Sequence, residues 1–410
     1  MFSTVSIRNL WLFSLSDAMS RFGGQFQFLA LITLIYSTTR SPLLTALMLT
    51  TGSLPIILLA RWAGAVADRF DPRRVVAVAN LVQAVLTLCF LLVDQVYAYL
   101  ALTFVVTSVG VFQLTARSAL LPQMVGRERI LQANARLATV RGAVQLLAPG
   151  LAGTLVVLTG PEVAFVFNAA SFLAPALAML FITPVERVER PAALAANGGS
   201  GDVAWAFLRS RPDLVVVLLA FGAYEVGMWA VNALFIPYAG EILHGGADLV
   251  GWATSLYFGA GLLTGMLLER YGHVLRSHRL LYAAYFAGAL VWVGYIMTRS
   301  IPVALILSAF DGIVYTYAWT LFESRVQEEA PPEARGRVFG LVRAGDEVCS
   351  VTGQVGGGLV ATYGGILGGM GAFTGLTVLL LGLVGLGGRA LHRPVLAKQV
   401  HPHADCHEGG

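Results

Sequence analysis

"RWAGAVADRFDPRRVV", residues 61–76, sets six charged side chains in sixteen positions of a chain in which only 12% of residues are charged. On both sides of it the sequence returns to long apolar runs. The 410 residues are 57% hydrophobic, with a mean hydropathy of +0.73. Runs of eighteen or more mostly apolar residues recur, each long enough to cross a hydrocarbon core of roughly 30 Å at about 1.5 Å per residue. The charged stretch therefore reads as a loop between two membrane spans.

Counting outward from it, apolar runs between charged or Gly/Pro-marked breaks predict helices at 10–36, 42–67, 74–93, 97–122, 132–158, 161–182, 212–239, 249–269, 279–298, 302–326, 338–362 and 365–389. The expected fold is an all-α membrane protein of twelve transmembrane helices in two pseudo-symmetric six-helix bundles. Strand-built pores are excluded, because their segments are roughly ten residues of alternation rather than continuous apolarity. Asp17 and Arg21 interrupt the first run, so it is expected to be a retained span and not a cleaved signal peptide.

Among arginines carried by loops, only Arg40 and Arg299 fall on one side of the spans. The rest fall on the other, together with the one lysine, Lys398, so the positive-inside rule places both termini in the cytoplasm of a plasma-membrane protein. The net charge of +4 reflects this topology and calls for no nucleic acid. Cys89 and Cys349 lie inside spans and Cys406 in the tail, a pattern that suggests no extracellular disulfide.

The chain also repeats itself. Gly64 with Asp68 and Arg69 is echoed by Gly265 with Glu269 and Arg270 at an offset of 201; "VGRERILQANARL" at 125–137 resembles "APPEARGRVFGLV" at 330–342, and "APGLAG" at 148–153 falls against "GQVGGG" at 353–358, at 205. The division expected is an N-terminal bundle at 1–182, a linker at 183–211, a C-terminal bundle at 212–389 and a disordered tail at 390–410. Duplicated bundles of this kind typify transporters with a central site.

"GAVADRFDPRR" at 64–74 is similar to the helix-two/three loop signature of the major facilitator superfamily, which the whole chain resembles. "SPLLTALMLT" and "ALLPQMVGRERILQANA" look closest to the bacterial efflux branch that includes enterobactin and macrolide exporters. The resemblance implies that Gly64, Asp68, Arg69 and Arg73, with Gly265, Glu269 and Arg270, form a latch closing the halves on the cytoplasmic side. Gly64 would allow close helix approach, and Asp68, one turn on, could meet a helix N-terminus of the other half. The plainer reading of Arg73 and Arg74 is that they only set topology. "APGLAG" resembles a degenerate antiporter signature in helix five, with Ala148 and Ala152 where glycine is usual, and makes Pro149, Gly150 and Gly153 a packing motif. Helix four lacks the outer-half arginine of many proton-coupled exporters, since Arg117 lies near the cytoplasmic end.

Ionisable groups inside spans are costly and mark function. Asp17, Arg21 and Gln25 recur every four residues as one polar stripe of helix one. Glu225, with Trp229 and Asn232 on its face, lies deep in helix seven and is the leading proton carrier unless an arginine pairs with it. Asp311, Tyr315 and Trp319 share a face of helix ten that could bind an aromatic or cationic substrate, though aromatic rows more often pack. In helix eleven, Arg343 and Glu347 stand one turn apart and are expected to neutralise each other beside Asp346. Arg141, near Gln145 in helix five, is a candidate partner for an acidic group in the cavity. The tail's His401, His403, Cys406 and His407 match no structural zinc spacing.

Lys398 follows Ala397, so no Walker loop exists, and neither H-E-x-x-H nor G-x-S-x-G occurs. The sequence therefore points away from an ATPase or a membrane enzyme. It points to a secondary transporter working by alternating access without a cofactor or resident metal. Its expected partners are the lipid bilayer, a small amphipathic molecule (antibiotic, siderophore or metabolite) and protons, in a protein functional as a monomer. An uptake permease or lipid transporter of the same fold is the alternative.

Overall fold

A computed structural model describes residues 4–125, 130–182, 207–275, 278–329 and 335–391. The linker residues 183–206 and the tail from 392, with its histidines and Cys406, lie outside the described residues.

The helices are α1 (Thr4–Thr39), α2 (Pro42–Arg69), α3 (Pro72–Leu88), α4 (Val96–Val125), α5 (Ile130–Thr159) and α6 (Pro161–Phe181) in the first half. The second half holds α7 (Pro212–Glu241), α8 (Ala247–Leu275), α9 (His278–Met297) and α10 (Ile301–Glu329). A last helical run, Arg335–Leu391, breaks at Gly365, whose φ of 75° is left-handed, giving α11 (335–364) and α12 (366–391). The twelve expected spans are thus present. α1 begins six residues earlier than expected, and α3 ends in a 3-10 turn at Cys89–Leu92.

The charged stretch joins α2 to α3. Asp71 caps α3, accepting a hydrogen bond from the Arg73 N–H at 3.0 Å, with Pro72 at the first helical position. The Arg73 guanidinium donates to Asp71 at 2.9 Å and to the Ile182 carbonyl at the end of α6 at 3.2 Å. Arg8 similarly donates to the Phe181 carbonyl at 3.3 Å, so two cations satisfy the C-terminal end of α6. In this conformation both partners of Arg73 lie in its own half, and it makes no latch contact. Burial pushes the Asp71 carboxyl upwards, but the Arg73 bonds outweigh it and hold the group below the usual carboxylate range. A folded-state value below the unfolded one gives stability that is present above about pH 3.9 and lost as pH falls through the folded value. Asp71→Ala should cost about 1 kcal/mol near neutrality. Thermal unfolding in detergent should show this difference shrinking on acidification.

Within the halves α1 packs on α5 and α6, α2 and α3 on α4, α7 on α11 and α12, and α8 and α9 on α10; between them, α5 meets α8 and α2 meets α11. Both seams are tightest at the end carrying the α1–α2 turn, here called the distal end; the other, which carries the start of α1, is the terminal end. A Cβ on Gly153 would collide with the Ala247 carbonyl, and one on Gly251 with the Pro149 carbonyl. Gly150 N–H donates to Ser255 Oγ at 2.9 Å, and Trp252 Nε1 to Thr154 Oγ1 at 3.2 Å. Across the other seam, Gly358 lies against Pro42, Leu43 and Ala46, and Thr50 Oγ1 donates to Gln354 Oε1 at 3.0 Å. Tyr36 OH completes the seal by donating to Glu241 Oε1 at 2.5 Å. Gly153→Ala should cost about 1–3 kcal/mol by overpacking the α5–α8 seam, read as a lower unfolding midpoint; Gly64→Ala should cost nothing comparable.

The seams also fix the repeat. Gly153 and Gly358, Thr50 and Ser255, and the helix starts Pro42 and Ala247 are each 205 residues apart and occupy matching places in the two seams. At that register Gly64 corresponds to Glu269. Gly265, matched to Gly64 at offset 201, stands one helical turn out of spatial equivalence.

Towards the terminal end the halves part. A Cβ on Gly64 or Gly265 would meet nothing within 4 Å, while Asp68, Arg69, Glu269 and Arg270 are exposed. The close approach expected at Gly64 is not made in this conformation.

Candidate functional site

Between the halves lies a cavity of about 450 Å³. The first half contributes Gln25, Phe28 and Leu49, and the second half all of the rest. α7 supplies Trp229, Asn232 and Phe235; α8 supplies Tyr257 and Phe258; α9 supplies Tyr295; α10 supplies Asp311 and Tyr315. The walls are aromatic and one carboxyl group enters them. The Trp292 indole donates to Asp311 Oδ1 at 3.3 Å, and Tyr257 and Tyr315 lie with ring centres 5.9 Å apart. Such a chamber suits a flat apolar body with a polar or cationic substituent, because ring faces attract cations and Asp311 supplies an acceptor.

Of the expected residues, Gln25, Trp229, Asn232, Asp311 and Tyr315 line this cavity. Trp319 does not. It lies one turn further towards the terminal end, stacked 6.1 Å from Tyr315 and tilted against Phe221 at 5.5 Å, with the Arg343 guanidinium 4.8 Å over its ring. Arg343 itself reaches across to Glu323 on α10 at 3.8 Å, so the pair expected with Glu347 is replaced by one between helices. Stacking on Trp319 draws the guanidinium away from its own helix. Glu347 Oε1 is left buried without a hydrogen bond.

Glu225 is 0% exposed and neither carboxyl oxygen has a hydrogen-bond partner. Its polar neighbours are Asp346 on α11 and the Trp229 indole, one turn along α7. Among the described residues no arginine forms an ion pair with it. Two carboxyl groups facing each other can hold a proton between them, with Arg343 the cation nearby, on the Asp346 side.

A second polar centre sits in the first half, between the cavity and the terminal end. Asp17, 1% exposed, receives three guanidiniums: Arg21 at 3.0 Å, Arg117 of α4 at 2.7 Å and Arg141 of α5 at 3.4 Å. Arg141 therefore does have an acidic partner, in its own half. Arg117 is buried, and its ring contact with Phe13 at 4.7 Å fixes the other face of the guanidinium. Arg117, Asp346, Tyr257, Phe258 and Tyr295 are among the residues that sequence reasoning did not place at a site. For Arg117 the signal was its charge within an apolar span; the α8 aromatics stand in a run with no polar contrast.

A family profile described as "Transmembrane secretion effector" matches residues 2–401. The chain belongs to this family of the major facilitator superfamily. This family member is 24% identical to the uncharacterized MFS-type transporter YfiS of Bacillus subtilis over 86% of each chain. It is 27% identical to the multidrug efflux pump Tap of Mycolicibacterium fortuitum over 71% of this chain and 74% of that one. Among solved structures it superimposes on a bacterial homologue of the lysosomal transporter Spinster, inward-facing and occupied, with a TM-score of 0.75 and 11% identity, over 95% of this chain and 98% of that one. It is thus a multi-pass membrane transporter of the major facilitator fold.

Proposed function

We propose that this transporter exports amphipathic organic molecules across the plasma membrane by alternating access, driven by protons. The observation that carries this reading is the aromatic cavity between the halves, sealed at one end and open towards the other, with Asp311 in its wall. Tap, a relative over most of the chain, is an efflux pump, which favours export. The basic loops favour cytoplasmic termini, so the open terminal end faces the cytoplasm and collects substrate there. The two halves rock about the cavity; the glycine-packed distal seams open as the terminal end closes, when Gly64 and Asp68 of α2 approach the start of α11. Glu225 with Asp346 carries the proton, and Asp311 with Tyr315, Trp229 and Asn232 holds the substrate. The protein works as a monomer.

The test is transport by purified protein in inside-out vesicles, with an imposed pH gradient and a panel of fluorescent amphipathic dyes of both charges. Dye accumulation that needs the gradient supports the reading. Accumulation that ignores the gradient refutes proton coupling, and no accumulation of any dye speaks against export.

A further inference from the structure

The Asp17 centre carries more positive charge than its one carboxylate neutralises. Three guanidiniums converge on two oxygens: Arg21 and Arg117 on Oδ1, Arg141 on Oδ2. Arg117 is 7% exposed and serves as the fixed counter-ion of Asp17. Arg21 and Arg141 are placed differently, with side chains 40% and 43% exposed. Each touches Asp17 through its Nε, which leaves the two terminal nitrogens of each guanidinium without a partner among the described residues. The four nitrogens form two forks held close together by a shared carboxylate.

The helices that carry these forks border the substrate's route. Arg21 lies one helical turn from Gln25 on the same face of α1, and Gln25 lines the cavity. Arg141 is in the part of α5 beyond Gly142, where the α5–α8 seam loosens so that a Cβ on Gly142 would come only within 3.9 Å of Leu262. The forks therefore stand at the cavity mouth, on the open side. A guanidinium fork matches the two-oxygen edge of a carboxylate, phosphate or sulfonate, and a charge-assisted bond of this kind is about twice as strong as a neutral one. Arg21 and Arg141 together exceed what topology needs, since Arg117 already balances Asp17.

We infer that Arg21 and Arg141 form an oxyanion site at the cavity mouth, so that the transported molecule carries a carboxylate, phosphate or sulfonate beside its apolar body. The body lies in the aromatic cavity and the anionic group one helical turn towards the open end. This rests on the cavity being the substrate site. The same forks could instead serve only to meet the acidic groups of the other half, Asp346 and Glu347, when the terminal end closes; in that case no anion binds them in the open state.

Matched probes separate these outcomes: dansylglycine, which carries a carboxylate, and dansylglycinamide, which does not, titrated by fluorescence against the full-length protein in detergent. The expected result is tighter binding of dansylglycine, weakened about tenfold by Arg141→Gln or Arg21→Gln, with dansylglycinamide unaffected. Each variant leaves two arginines on Asp17, and Arg141→Lys, which keeps the charge, should retain part of the preference; size-exclusion profiles confirm that all are folded. Equal binding of the two probes, unchanged by the substitutions, overturns the oxyanion site and leaves the cavity reading standing. Arginine-dependent dansylglycine binding that ignores Trp229→Ala and Tyr315→Ala supports the oxyanion site but removes the aromatic cavity as the place of the body. Binding of neither probe overturns both.

Discussion

Glu225→Gln is expected to reduce gradient-driven dye accumulation to the level of vesicles lacking the protein, while the variant stays folded and still binds dye. Glutamine keeps the shape and volume of the protonated side chain, replaces one carboxyl oxygen by an NH2 donor and removes the titratable proton. The site is built so that little else would change: Glu225 is fully buried and has no cation of its own to lose. The groups facing it are Asp346 and Cys349 of α11, Tyr285 of α9, Tyr315 of α10, Tyr257 of α8, and Tyr224 and Trp229 of its own helix. None is basic. A buried carboxyl group beside another carboxyl group has two states that differ by one proton, and one turn away Trp229 forms the cavity wall. Occupancy of the proton site and of the cavity can therefore bias the same packing of α7 against α11. Asp346→Asn should impair coupling as well. Accumulation unchanged in Glu225→Gln would reduce Glu225 to a structural residue.

The second large effect is on stability. Asp17→Asn removes the single anion on which three arginines converge and leaves Arg117 charged and buried. Breaking a buried ion pair from one side costs about 3–5 kcal/mol, because the remaining charge keeps its desolvation penalty. The variant should unfold well below wild type in a detergent melt, whereas Arg141→Gln, which leaves Asp17 with two partners, should lie close to wild type. Equal midpoints for Asp17→Asn and Arg141→Gln would mean that water already screens the centre.

These two centres also show how far the sequence could be read. Twelve spans follow from apolar length, and the break between the last two, set at 363–364 by composition, coincides with the left-handed Gly365. In "APGLAG" on α5 the Pro149 carbonyl, the Gly150 N–H and the Gly153 Cα face α8 directly, an approach that small residues admit. Pairings between helices were not legible. In spans that are apolar nearly all round, spacing gives the face a residue shares with its own helix but not the neighbour that face meets. Hence spacing groups Asp17 with Arg21 but says nothing of Arg117, which reaches Asp17 from α4. Arg343 and Glu347 were paired by their spacing of one turn, yet Arg343 crosses to Glu323 under the pull of the Trp319 ring. The motif match that placed Gly265 opposite Gly64 failed for a related reason: it compared letters, whereas equivalence is set by which residues touch at the distal seams.

The central claim is that the two halves rock about the cavity, so that one end closes as the other opens. Paired spin labels measure it directly: one pair at Phe70 and Gly340, across the open terminal end, and another at Arg40 and Tyr363, across the sealed distal end. Lowering the pH and adding a transported dye should shorten the first distance and lengthen the second together. Two distances that stay fixed under every condition, or that change in the same direction, would contradict the account.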